Sequence, residues 1–75
     1  MENTTTVKTG MIYNEELGRD FEIRLEKFED GQGYAWFGEQ EDGSFVSCEV
    51  SADTKKEAIE AAKASWNGWN LRMNA

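Results

Sequence analysis

The residues of this chain whose types and spacing could suggest chemistry are its carboxylates and one thiol. Adjacent acids occur at Glu15-Glu16, Glu29-Asp30 and Glu41-Asp42, and Cys48 is the single cysteine. An acid/base pair of the glycosidase kind needs two carboxyl groups at a fixed separation on either side of a cleft. These acids sit instead in turn-like stretches such as Glu29-Asp30-Gly31 and Glu41-Asp42-Gly43, where such residues serve the turn itself. Cys48 would need an activating base to act as a nucleophile, and the chain has no histidine. Its alternation with Val46 and Val50 places it on the core face as a small buried hydrophobe. Neither Asp30-Gly31-Gln32-Gly33 nor Asp42-Gly43-Ser44 carries the repeated ligands and distal glutamate of a calcium loop. One thiol without imidazole does not make a zinc site. The expectation is a binding protein, not an enzyme, with no cofactor and no metal.

Charge says what kind of partner. Fifteen acidic residues face eight basic ones, for a net charge of −7. Residues 15–53 alone hold twelve acids against three bases, a local net charge of −9. This argues against direct contact with nucleic acid or an anionic membrane, and for a basic protein surface, including one that ordinarily binds nucleic acid. Carboxylates at strand ends and turns could imitate duplex DNA, which carries about one negative charge per 1.7 Å of axis. The plain alternative is that acidic surfaces keep proteins soluble. The candidate partner-binding residues are Glu29, Asp30, Glu39, Glu41 and Asp42. Trp69, beyond the helix end, is either an apolar anchor for the partner or a lid over the open edge of the sheet. Trp36 and Trp66 are expected to meet in the core.

The elements that must position these groups are few. Seventy-five residues make one small domain, of a size that buries about 60–65% of its unfolded surface. Cys48 has no partner for a disulfide, so the nine aromatic residues carry much of the core. Residues 1–9 read as a flexible tail or a frayed edge strand, and residues 10–75 as the folded α+β domain. Phe21, Ile23 and Leu25 alternate with Glu22, Arg24 and Glu26, which predicts a strand over Asp20–Glu26. Phe28 breaks that phase and marks a bulge or the strand end. Further strands are predicted over Tyr34–Gly38 and Phe45–Val50, joined through the Asp42-Gly43 hairpin signal. Thr54-Lys-Lys-Glu57 has capping-box spacing and opens a helix from about Lys55 to Trp66. The order is β-β-β-α: a three-stranded antiparallel sheet with the C-terminal helix on one face. Residues 10–14 or 69–73 would supply a fourth strand. No apolar run reaches the roughly 18–20 residues of a bilayer span. The threonine-rich start lacks the apolar segment of a signal peptide. A free cysteine then fits a cytoplasmic setting.

Two family resemblances fall on residues 34–66. The string Glu41-Asp42-Gly43-Ser44-Phe45, followed by Ala52-Asp53-Thr54-Lys55-Lys56-Glu57-Ala58, resembles the antitoxin half-fold of the HicB type, without its proline-rich segment or DNA-binding region. That resemblance implies a β-rich module that blocks a small RNA-cleaving toxin. Thr54, Glu57, Ala58, Ala62 and Trp66 also follow the layout of small phage-encoded inhibitors, such as the T7-type inhibitor of bacterial RNA polymerase. Size and acidity are similar in style to anti-CRISPR proteins. These resemblances imply an inhibitor of a nucleic-acid-handling protein. The alternatives are the antitoxin module and a structural homodimer joined through an open sheet face.

Overall fold

A computed structural model describes residues 3–29, 31, 33–66 and 71–74. Asp30 and Trp69 lie outside the described residues. The chain is α+β: strands β1 (Thr4–Asn14), β2 (Arg19–Phe28), β3 (Tyr34–Glu39) and β4 (Phe45–Ala52), then helix α1 (Lys55–Ser65) and strand β5 (Arg72–Met73). All five strands form one antiparallel sheet in the order β4-β3-β2-β1-β5. The helix lies over β3 and β4.

The sheet has five strands where the sequence predicts three or four. Both candidate extra strands form, and the first is longer than expected. The stretch read as a flexible tail or a frayed edge strand is strand from Thr4 onward. It lacks apolar alternation, and beside its backbone ladder to β2 the hydroxyls of Thr4 and Thr6 both donate to the Glu26 carboxylate. Threonine also suits a pleated, half-exposed surface. A register shift at Val7, between the Thr6–Glu26 and Lys8–Leu25 pairs, turns that one apolar residue toward the core. At the other end of the chain, β5 clips onto Gly10 and Met11. Gly10 permits this closeness, since a Cβ there would meet the Arg72 carbonyl oxygen at 2.8 Å.

Alternation along β2 and β3 builds the core. Phe21, Ile23 and Leu25 turn toward the helix, and Trp36 lies opposite Leu25. Ile23, Leu25, Trp36, Ala58 and Ala62 are fully buried. The two alanines, one turn apart, let the helix approach closely enough for the Trp36 indole Nε1 to donate to the Ala58 carbonyl at 2.8 Å. Trp66, at the helix C-cap, meets Trp36 edge to face with ring centroids 5.8 Å apart. The helix starts where the capping spacing places it. The Glu57 amide donates to the Thr54 hydroxyl at 3.1 Å, and that hydroxyl donates to the Glu57 carboxylate at 3.0 Å. The carboxylate thus meets the threonine side chain rather than its amide.

Strand β4 carries an irregularity that its sequence does not announce. Ala35 pairs with Ser51 but Phe37 pairs with Ser47, so Cys48, Glu49 and Val50 together face Trp36. Glu49 takes up the excess with a left-handed φ of 59°, the one positive φ outside glycine among the described residues. The hump leaves both Cys48 and Val50 against the core.

Candidate protein-binding site at the acidic end of the sheet

Antiparallel connections put the β1–β2 turn (residues 15–18) and the β3–β4 turn (residues 40–44) at the same end of the sheet, and the β2–β3 turn at the other. Glu15, Glu16, Glu41 and Asp42 therefore share one end, all exposed. The two hairpins part company there. The last β2–β3 pair is Ile23 with Gly38, beyond which β2 continues as Arg19–Glu22 beside β1. Strand β3 ends at Glu39, whose carboxylate bridges the split by accepting from the Glu22 amide at 3.3 Å.

Each turn is fixed by its own side chain. Asn14 accepts from the Leu17 amide through Oδ1 at 3.2 Å, while its carbonyl accepts from Gly18 at 2.8 Å. Asp42 Oδ1 accepts from the Ser44 amide at 2.9 Å and the Ser44 hydroxyl at 2.6 Å. These two bonds favour the charged form and hold the Asp42 carboxyl below its ordinary value. Gly43, with φ of 88°, completes the turn.

Between the hairpins opens a groove of about 710 Å³. Ile12, Phe21, Ile23 and Trp66 give it an apolar floor, extended by Leu17 and Val46 at its sides. Gly38 belongs to that floor, and the space a Cβ there would take is filled by the Cys48 sulfur. Four carboxylates line the groove (Glu22, Glu39, Glu41 and Asp42), and the Arg19 guanidinium lies 4.4 Å over the Phe21 ring of its floor. Two ion pairs lie nearby. Arg24 pairs with Glu22 at 2.8 Å and stacks over the Phe45 ring at 4.0 Å on the uncovered sheet face. Arg72 pairs with Asp20. Among the described residues no cation stands within ion-pair distance of Glu15, Glu16, Glu39, Glu41 or Asp42.

The structure thus gathers three of the sequence-derived candidates, Glu39, Glu41 and Asp42. It separates Glu29, which is exposed at the opposite end, about 20 Å away by the rise of a six-residue strand. Sequence reasoning missed the groove itself. The available signals were Leu17, an apolar residue inside an acidic turn, and Gly38, a glycine inside a strand. Cys48 also lines the groove, and partial burial pushes its thiol pKa up, which disfavours the nucleophilic thiolate.

Compared with protein-family models, curated proteins and solved structures, the chain matches none of them.

Proposed function

We propose that this chain is a small acidic, non-enzymatic interaction module that binds a basic protein surface of the kind that otherwise holds nucleic acid, and inhibits by occupying it. The observation that supports this reading is the convergence of two hairpin turns on one sheet end, with Glu39, Glu41 and Asp42 unpaired by any described cation. Like charges held together on a rigid scaffold focus a field outward, which raises encounter rates with an opposite surface. Their hydrogen bonds are spent on shaping turns and leave the negative charge itself available. The one thiol is disfavoured as a nucleophile, which fits a binding role.

The test is affinity capture from the native host by the intact chain and by a Glu41→Lys/Asp42→Lys double variant, followed by mass spectrometry. The reading expects basic, nucleic-acid-handling proteins on the intact chain, released by moderate salt and lost from the variant. Recovery of the same partners on both proteins, or partners indifferent to salt, refutes it.

A further inference from the structure

Two large apolar side chains are exposed among the described residues, Leu17 at 51% and Val46 at 46%. Both line the same groove, on opposite hairpins, together with Glu22, Glu39, Glu41 and Asp42. Scattered exposed apolar residues are ordinary, but a concave apolar surface with a rim of one charge sign has the anatomy of an interface centre. Its volume lies within the roughly 300–1,000 Å³ typical of binding pockets.

We infer that this groove receives a partner segment in which bulky apolar side chains are flanked by lysine or arginine, so that the partner is anchored by burial as well as steered by charge. The inference rests on the interaction-module reading and adds the chemistry of the segment recognised. Ile12, Phe21 and Trp66 supply a floor for the apolar side chains, and Glu39, Glu41 and Asp42 stand where the flanking cations arrive. A purely basic surface would satisfy the rim and leave Leu17 and Val46 in water. A neutral apolar segment would bury them and leave Glu39, Glu41 and Asp42 without cations. Only the mixed segment satisfies both.

Two dye-labelled lysine-rich peptides of equal charge separate these cases by fluorescence anisotropy, one with a central leucine–tryptophan pair and the other with serines in their place. The apolar peptide is expected to bind about tenfold tighter or more, from burial of two large side chains. Leu17→Ser/Val46→Ser, at exposed positions outside the buried core, should remove most of that preference. Glu41→Gln/Asp42→Asn should weaken both peptides alike. Equal affinity for the two peptides, or a preference that survives Leu17→Ser/Val46→Ser, overturns the anchored groove while leaving the acidic module standing. Failure of both peptides to bind at low salt overturns the two readings together.

Discussion

Gly38 on β3 and Cys48 on β4 share a space large enough for only one of their side chains. A Cβ on Gly38 would lie 2.9 Å from the Cys48 Sγ, against about 3.5–4.0 Å for non-bonded heavy atoms in comfortable contact. The Gly38 backbone has no positive φ, so alanine is opposed by packing and not by conformation. Overpacking of this kind costs about 1–3 kcal/mol. Alanine regains about 0.4–1 kcal/mol, because the unfolded chain then has less freedom to lose. Gly38→Ala should therefore range from near neutral to destabilising by about 2.6 kcal/mol. Cys48→Ala deletes the obstructing sulfur, and in that background Gly38→Ala should be neutral or stabilising by up to about 1 kcal/mol. The coupling between the two sites is then about 1–3 kcal/mol. Urea denaturation of the intact chain, both single variants and the double variant measures it, against a total stability on the order of 4–11 kcal/mol for a chain of this length. Equal effects of Gly38→Ala in the two backgrounds, within about 0.5 kcal/mol, would refute the packing argument.

Two further outcomes follow from the core and the acidic turn. Trp36→Phe removes the 2.8 Å bond to the Ala58 carbonyl and part of a fully buried ring, and should cost about 2–3 kcal/mol. Thermal unfolding should then shift down by roughly 10–20 °C, and a shift of only a degree or two would show that the indole does not tie helix to sheet. Ser44→Ala deletes the hydroxyl that is the largest cause of the lowered Asp42 pKa, so the carboxyl should titrate closer to its ordinary 3.8. Because the folded pKa is depressed, the Asp42–Ser44 contact stabilises the fold above that ordinary value and is lost as pH falls through the folded one. Carbon-detected NMR titration of Asp42 reads the change, and an unmoved titration curve would exclude Ser44 as its cause.

Much of the fold was legible because local signals and tertiary packing agree. Alternation over Phe21–Leu25 marks β2, the glycines at 31 and 33 mark a turn where both adopt positive φ, and Thr54 with Glu57 marks the helix start. Trp36 and Trp66 meet as expected, one a strand residue with apolar neighbours and the other on the helix stripe. Strand β1 was legible over Thr4–Thr9 only as one alternative, because its partners are the distant β2 ladder and hydroxyl–carboxylate bonds to Glu26, 22 and 20 residues away. Periodicity cannot report a contact of that separation. The candidate site was half legible for a related reason. Acids in turns can be read directly, but which turns share an end depends on strand order. The groove depends on where two hairpins diverge, at the Ile23–Gly38 pair, and no local pattern encodes that point.

The hump at Glu49 has a consequence for how this molecule behaves in a crowd. Strand β4 is the outermost on its side, and an unpaired outer strand invites another chain to add itself and begin a fibril. Here the backbone buckles at mid-strand, with an exposed carboxylate at its crest. An incoming strand would find neither a straight ladder of donors and acceptors nor a neutral surface to lie against. A residue that costs a little backbone strain thereby makes this edge of the sheet a poor template for strand addition.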